Sequence, residues 1–212
     1  MAALVKQSLV DQIYIELRSS IVTQKIPWGE RLNVSELQQK FEISSTPIRE
    51  ALNRLQKEGH VEYKNNFGAK VIDISEKDMI EIQVVALTLD CAAIKYAMET
   101  GKLGEIAEEL SEKIKCYQEA SDEAVRFHCI EEFTDIFYKY TGNERLISLS
   151  HAIKGQQSML RSTYVKIKNK PSSMEDHIKI YHAVLSGNRN EAIQAMEDNY
   201  KKATELLLKV FE

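Results

Sequence analysis

The chain has 212 residues, of which 43% are hydrophobic and 28% charged, so it can form two domains with packed cores and is neither disordered nor fibrous. It contains no apolar run of about 18 residues and begins without a secretion signal, so we expect a cytoplasmic protein with no membrane span. Cys91, Cys116 and Cys129 are odd in number and far apart, so we expect reduced thiols and neither a disulfide nor a zinc site.

The charge is distributed unevenly. Residues 1–74 carry ten Lys and Arg against nine Asp and Glu, a net charge of +1, whereas residues 75–212 carry 18 against 23, a net charge of -5. The total of -4 argues against a protein that coats nucleic acid. The difference in sign nevertheless favours the first third of the chain as the part that meets DNA.

Helical patterns occupy most of the first 60 residues. Apolar residues at every fourth position from Leu9 predict a helix that ends before Pro27. After a turn and a short extended piece at Arg31 and Leu32, Asn33 caps a short second helix. Pro47 stands in the first turn of a third helix, where its missing N–H costs nothing.

The third helix and the segment after it predict a winged helix-turn-helix. The helix stops at Gly59, and Thr46, Arg49 and Asn53 form its open face, opposite an apolar stripe. Two short strands, Val61 to Tyr63 and Ala69 to Ile72, follow and are joined by a tip that contains Asn and Gly.

The remainder of the chain has almost no strand signal. Ser75 opens it as a capping residue with Asp78 three positions on, and breaks rich in Gly, Pro, Ser and Asn divide it into about six helices. We therefore expect a mainly α protein. Residues 1–74 form the winged helix-turn-helix, and residues 75–212 form an all-α antiparallel helical bundle.

Two segments carry a family resemblance. Ser44–Leu52, followed by Glu58 and Gly59, resembles the recognition helix of the GntR family of bacterial regulators, and Pro27–Leu32 resembles the turn before that family's second helix. Residues 75–212 resemble the FCD effector domain of the FadR subfamily. This resemblance rests on the spacing of Phe133, Gly142, Asn143, His177 and the stretch from Ala192 to Met196.

The resemblance implies a ligand-responsive transcriptional repressor. Such a protein binds a near-palindromic operator as a homodimer, with the two recognition helices in successive major grooves. It also implies that the helical domain binds a small-molecule effector and pairs the subunits.

The predicted DNA contacts lie on the third helix and the hairpin. Ser44, Ser45 and Thr46 stand where a helix N-terminus attracts phosphate, although they could serve only as caps. Arg49 has the planar fork that matches a guanine edge, unless it pairs with Glu50 or Asn53.

At the wing, Lys64, Asn65, Asn66 and Gly68 would approach the minor groove or its phosphates, unless the hairpin is an ordinary surface one.

The chain departs from the family at two DNA-binding positions. Many members carry Arg where Ser35 and Ser45 stand here. Because each lost cation removes a phosphate contact, we predict a weaker operator affinity that falls less steeply with salt.

The metal site of the FCD family also looks lost. Its four ligand positions fall on Ile130, Thr134, His177 and Asn199, of which only His177 is a good ligand. We therefore expect no metal and no other cofactor.

A cavity could persist at the same place and bind an organic anion such as a carboxylate or an acyl-thioester phosphate. The alternative is a set of separate polar residues with no common pocket. The candidate lining residues are Thr134, Arg161, Tyr164, His177 and Asn199.

The sequence leaves two alternatives to transcription regulation. An enzyme is disfavoured because the sequence has no Gly-rich phosphate loop, no nucleophile elbow and no HExxH motif. A winged-helix module that binds another protein is the second alternative, favoured by the acidic total charge and the two missing Arg residues.

Overall fold

The computed structural model describes residues 8–64, 68–168 and 174–211. The chain forms two compact units. The first comprises Met1–Met79 together with His151–Thr163, and the second comprises Ile80–Ser150 together with Tyr164–Glu212. The domain boundary after residue 74 stays a prediction, but a stretch from the second half of the chain belongs to the first unit.

The predicted mainly helical fold with a small wing is confirmed. In the described residues, an N-terminal helix and a helix-turn-helix are followed by a hairpin and six further helices. The elements are α1 (Leu9–Val22), β1 (Arg31–Leu32), α2 (Val34–Phe41), α3 (Ser45–Lys57), β2 (Val61–Lys64), β3 (Gly68–Val71), α4 (Glu76–Met98), α5 (Leu103–Glu119), α6 (Glu123–Thr141), α7 (Glu144–Lys168), α8 (Glu175–Leu185) and α9 (Arg189–Leu207).

The core of the first unit lies between α1 and α3. Leu17 and Ile21 of α1 are fully buried, as are Ile48, Leu52 and Leu55 of α3. Because these residues recur at spacings of three or four, each helix presents one apolar stripe to the other. This stripe fixes which side of α3 remains open.

A three-stranded antiparallel sheet completes the first unit. Its order is β1-β3-β2, so β3 is the central strand. Tyr63 is paired with Ala69, and Leu32 of the short extended piece pairs with Ala69 from the other side. The predicted hairpin is therefore confirmed, with one more strand along its edge.

The second unit is a helical bundle. Within it α5 packs on α6 and α8, and α8 packs on α9. Phe133 and Phe137 of α6 and Leu110 of α5 are fully buried and form part of its core. No helix in the described ranges is long and apolar enough to cross a membrane.

Both predicted helix caps are present. The Ser75 Oγ accepts from the Asp78 N–H at 3.1 Å, and the Asp78 carboxylate accepts from the Ser75 N–H at 3.0 Å. The Asn33 side chain accepts from the Ser35 N–H at 2.9 Å and donates to Glu36 at 3.0 Å. The bonds of Ser75 with Asp78 are reciprocal, and together with the bond from Ser35 they satisfy backbone amide groups that a helix start leaves open.

The prediction of three reduced cysteines is wrong for two of them. Cys116 of α5 and Cys129 of α6 form a disulfide, which the packing of these two helices makes possible. No local cysteine motif signals a bond that depends on tertiary contact. Cys91 is a free, half-buried thiol, and burial raises its pKa to about 11.

Candidate nucleic-acid interface

The turn between α2 and α3 positions the start of the third helix. Glu42 ends α2 in the left-handed conformation, with φ 56°. Ser44 is extended, and α3 begins at the next residue, Ser45. A short turn of this kind joins the two helices of a helix-turn-helix.

The side chains of α3 divide into a buried stripe and an open face. Ile48, Ala51, Leu52 and Leu55 are all fully buried. The predicted DNA-reading residues lie on the other side, where all are exposed. They are Thr46, Arg49 and Asn53.

The N-terminus of α3 is open to an anion. Ser44 is exposed, and its hydroxyl makes no capping hydrogen bond to the helix. Ser45 is half-buried and Thr46 is exposed. The first amide groups of α3 are therefore not capped by Ser44, and their dipole favours a negative charge.

The two arginines of α3 have different surroundings. Arg54 lies in a brace between α1 and α3: it contacts Asp11 at 3.0 Å and stacks on the Tyr14 ring at 3.8 Å. Arg49 is exposed, and no ion pair involves it in the part of the chain that the structure describes. The alternative in which Glu50 or Asn53 occupies Arg49 is therefore not observed there.

The brace between α1 and α3 was not predicted. The Tyr14 hydroxyl donates to Glu58 at 2.6 Å, and burial together with this bond raises the pKa of Tyr14 to about 12. The spacing of Arg54 and Glu58, four residues apart, is the only local signal for it. The brace holds the C-terminal half of α3 against α1.

The remaining predicted DNA contacts lie at the wing and on α2. Gly68 is exposed with φ +75°, and a β-carbon built there meets nothing within 4 Å, so the backbone is open to close approach. Ser35 is exposed at the start of α2. Asn65, Asn66 and the side chain of Lys64 lie outside the described residues.

The first unit also includes part of α7, which meets the end of α3 through two glycines. The Gly155 N–H donates to the Glu58 carbonyl at 2.7 Å. A β-carbon at Gly59 would lie 2.6 Å from the Ala152 carbonyl oxygen, and one at Gly155 would lie 2.6 Å from the His60 ring. The two backbones approach closely because both residues lack a side chain.

The predicted effector residues are only partly described. In α6, Thr134 is buried and donates a long 3.5 Å hydrogen bond to the Ile130 carbonyl. His177 of α8 is buried, and Phe133, next to Thr134, meets it edge to face with the ring centroids 5.1 Å apart. Asn199 is half-buried.

The other two predicted effector residues lie on α7. Arg161 is half-buried in the stretch that belongs to the first unit. The side chain of Tyr164 lies outside the described residues.

The residues at the family's metal positions do not fit a metal ion. Ile130 has no donor atom, and the hydroxyl of Thr134 faces its own helix backbone. Asn199 offers only a neutral amide, which leaves His177 as the one good ligand. No group of three His, Cys, Asp or Glu suited to a metal occurs among the residues that the structure describes.

A buried carboxylate in the second unit was not predicted. Asp90 of α4 is buried and accepts from Tyr138 of α6 at 2.6 Å and from Tyr200 of α9 at 2.7 Å. Burial, followed by the charge of Asp90, raises the pKa of Tyr138. The three side chains tie three helices together, and nothing in their sequence spacing indicates it.

We expect Tyr200→Phe to lower the free energy of unfolding by about 1.5–3 kcal/mol, because it removes a donor from a buried carboxylate. Tyr140→Phe is the matched control: Tyr140 donates to Glu109 at 2.7 Å, but this carboxylate is partly exposed and Lys139 also reaches it. The control should cost less than about 1 kcal/mol. Urea unfolding measures both, and equal losses would contradict the assigned role of Asp90.

The geometry defines the class of protein. A winged helix-turn-helix with an open polar face on its third helix, joined to a helical bundle, is the architecture of a DNA-binding transcription regulator. The chain belongs to the gntR family of bacterial regulatory proteins, whose model matches residues 9–71, and the FCD domain model matches residues 81–201. Members of this family are transcriptional regulators and not enzymes.

Full-length relatives and solved structures agree with this assignment. The chain is 22% identical over 205 residues to the uncharacterized HTH-type transcriptional regulator YdhC of Bacillus subtilis (strain 168), covering 95% of this chain and 92% of that one. It is 23% identical over 202 residues to the gluconate operon transcriptional repressor of Bacillus licheniformis, covering 89% and 81%. The structure of E. coli McbR/YncC matches with a TM-score of 0.74 at 17% identity, over 98% of this chain and 100% of that one. At this identity the likeness shows the fold.

Proposed function

We propose that the chain is a ligand-responsive repressor of the FadR subfamily that acts in the cytoplasm and binds a near-palindromic operator as a homodimer. The observation that carries this proposal is the open face of α3, where Arg49 is exposed next to an uncapped helix N-terminus. Two copies related by a two-fold axis would present two such faces to successive major grooves. A relative is named as an operon repressor, and this name favours repression over activation for this chain.

Each residue of the face has a proposed role. Ser44, Ser45 and Thr46 hold a backbone phosphate at the start of α3, and Arg49 reads a guanine edge with Asn53 beside it. Gly68 brings the wing backbone close to the minor groove. The remaining contacts would come from Ser35, Lys64, Asn65 and Asn66.

The proposal is tested by measuring how the wild-type chain binds duplex DNA taken from around its own gene. Fluorescence anisotropy at two salt concentrations gives the affinity, and footprinting gives the bound site. We expect a footprint with two half-sites about 10 base pairs apart and two chains per duplex. Absence of binding at low salt would contradict DNA recognition and favour a protein partner for the winged helix.

The loss of arginine at two family positions has a measurable consequence. We expect Ser45→Arg to raise operator affinity and to steepen the dependence of log K on log salt by about 0.9 per subunit, because each new phosphate contact releases counterions. The control is Ser148→Arg, which adds the same charge at an exposed position on α7 in the second unit. Identical salt slopes for the two variants would contradict a phosphate contact at residue 45.

We propose an organic anion as the effector, with Arg161 as its cationic contact. The support is that Arg161 is half-buried and carries a guanidinium, whose fork matches a carboxylate or phosphate. Organic acids and acyl-CoAs should raise the melting temperature of the wild type, because a ligand that binds only the folded state stabilises it.

Arg161→Gln should abolish the thermal shift, and Arg145→Gln, an exposed arginine of the same helix, should retain it. A shift that survives in Arg161→Gln, or no shift with any anion, would contradict the proposal.

A further inference from the structure

Two cysteines meet where α5 and α6 turn back on each other. Cys116 lies in the last turn of α5 and Cys129 in the second turn of α6, and only residues 120–122 connect the two helices. Their Cα atoms are 6.1 Å apart, inside the range of about 4.4–6.8 Å that a disulfide spans, and the two sulfurs are bonded.

The packing of α5 on α6 accounts for this meeting without the bond. Lys113, three residues before Cys116, contacts Glu132, three residues after Cys129, at 3.0 Å. Because residues three apart share one face of a helix, the two cysteines occupy the next level of the same antiparallel series. The two thiols would therefore remain opposite each other after the bond is reduced.

The three cysteines of the chain differ in their access to solvent. Cys116 is half-buried, whereas Cys129 is fully buried beneath it. An accessible thiol with a second thiol in reach is the arrangement in which an oxidant attacks one sulfur and the other resolves the product. Cys91 has no cysteine partner, and burial raises its pKa to about 11, so it stays an unreactive thiol at neutral pH.

We propose that Cys116 and Cys129 form a reversible thiol–disulfide site that reacts with a hydroperoxide. The proposal builds on the proposed cytoplasmic regulator, because disulfides of cytoplasmic proteins are rare and are usually transient, catalytic or redox-sensing. A permanent structural bond would instead suit an oxidising compartment. The chain then has a second input, an oxidant, besides its effector.

Oxidation takes place in two steps. The Cys116 thiolate attacks the peroxide, the O–O bond breaks, and the sulfur keeps one oxygen as a sulfenic acid while hydroxide leaves and is protonated to water. The Cys129 thiolate then attacks Sγ of Cys116, the S–O bond breaks, and a second water leaves as the S–S bond forms. The two thiols supply two protons and two electrons, which reduce one hydrogen peroxide to two waters.

A dithiol reverses the reaction. One of its thiolates attacks Sγ of Cys116, the accessible sulfur, and Cys129 leaves as a thiolate that takes up a proton. The second thiol of the reductant then displaces Cys116 and carries both electrons away as the reductant's own disulfide. Each turn of the cycle restores both cysteines.

Counting thiols in the native full-length chain tests the cycle. After an acid quench and denaturation, the reduced chain should take up three maleimide tags by mass spectrometry, and hydrogen peroxide should lower the number to one. Dithiothreitol should restore three tags while the circular dichroism stays that of the folded chain. A bond that is reduced only after unfolding, or a chain that keeps three tags in peroxide, would overturn the proposal.

Trapping the first product tests the order of the two steps. Cys129→Ser should leave the sulfenic acid on Cys116 unresolved, so that dimedone labels this residue after peroxide treatment. Cys129→Ala is the second variant, in case a hydroxyl at this buried position prevents folding. Cys116→Ser is the matched control and should not be labelled, and Cys91→Ser should cycle like the wild type. Equal labelling of Cys116→Ser and the Cys129 variants, or none in any of them, would overturn the assigned reaction at Cys116.

Oxidation should also stabilise the second unit. The bond joins residues 13 apart, and closing a loop of this size restricts the unfolded chain, so oxidation should raise the melting temperature by about 5–10 °C. Cys116→Ser should melt at the same temperature in oxidising and reducing buffer. A wild type without any difference between the two buffers would overturn a bond between α5 and α6.

The outcomes separate the thiol site from the proposed function. A wild type that binds its operator, but whose cysteine pair does not respond to peroxide and dithiothreitol, would overturn the thiol site and leave the regulator intact. A pair that cycles in a chain without DNA affinity would support the thiol site and contradict the operator proposal.

Discussion

Arg49→Ala is expected to remove most sequence-specific DNA binding. Arg49 is exposed on the open face of α3, with no ion pair among the described side chains to compete for it. A bidentate contact to guanine discriminates by about 1–3 kcal/mol, and a dimer would make two of them. The affinity for the operator should therefore fall at least about thirtyfold in fluorescence anisotropy.

The loss should be specific to the operator sequence. Binding of Arg49→Ala to a scrambled duplex should change much less, because non-specific binding depends on phosphate contacts. Arg49→Lys should recover the charge but not the discrimination, since an ammonium lacks the planar fork.

Arg54→Ala is the control on the same helix: it should reduce stability through the brace to Tyr14 and Asp11 and leave base discrimination unchanged. Full operator affinity in Arg49→Ala, with lost discrimination in Arg54→Ala, would reverse the assigned roles.

Gly155→Ala is expected to destabilise the first unit. A β-carbon at Gly155 would collide with the Glu58 carbonyl oxygen and lie 2.6 Å from Nδ1 and 2.8 Å from Cγ of His60, which is 1% exposed. Neither a backbone carbonyl nor a buried ring can move away freely. Overpacking of this kind costs about 1–3 kcal/mol, even after any gain in helix propensity.

The matched control is Gly104→Ala, the same change in helix α5. A β-carbon there meets nothing within 4 Å, so this variant should be neutral or more stable by up to about 1 kcal/mol. Urea unfolding of both variants measures the difference. A Gly155→Ala protein as stable as Gly104→Ala would show that α7 and the end of α3 are not in close contact in solution.

Gly155→Ala should also weaken operator binding. The Gly155 N–H donates to the Glu58 carbonyl at the C-terminal end of α3, the helix that carries Arg49. A change that separates these backbones removes a support of the DNA-reading helix without touching its exposed face. Loss of stability with unchanged DNA affinity would limit the contact to a structural role.

Much of the fold could be predicted because helices are encoded locally. The apolar spacing of α3 fixed its inner stripe, and hence the exposure of Thr46, Arg49 and Asn53. Reciprocal caps such as Ser75 with Asp78 involve residues three apart, which a sequence shows directly. The candidate DNA face could therefore be predicted from local sequence patterns alone.

Contacts between distant elements could not be predicted in the same way. Asp90 receives hydrogen bonds from residues 48 and 110 positions away, and Cys116 meets Cys129 only because α5 and α6 pack together. An effector pocket could not be predicted either. Thr134 and His177 stand at ligand positions of the family, but their places in the sequence do not show that the two side chains line one pocket.

The helices, the hairpin and the open face of α3 follow from local sequence, because periodicity, caps and turn residues act over a few positions. The family was indicated separately, by the resemblance of Ser44–Leu52 to its recognition helix. The assignment of His151–Thr163 of α7 to the first unit and the contact between Gly155 and Glu58 are visible only in the folded chain. Both features depend on which surfaces come together, and a one-dimensional pattern shows that a surface is apolar without showing what covers it.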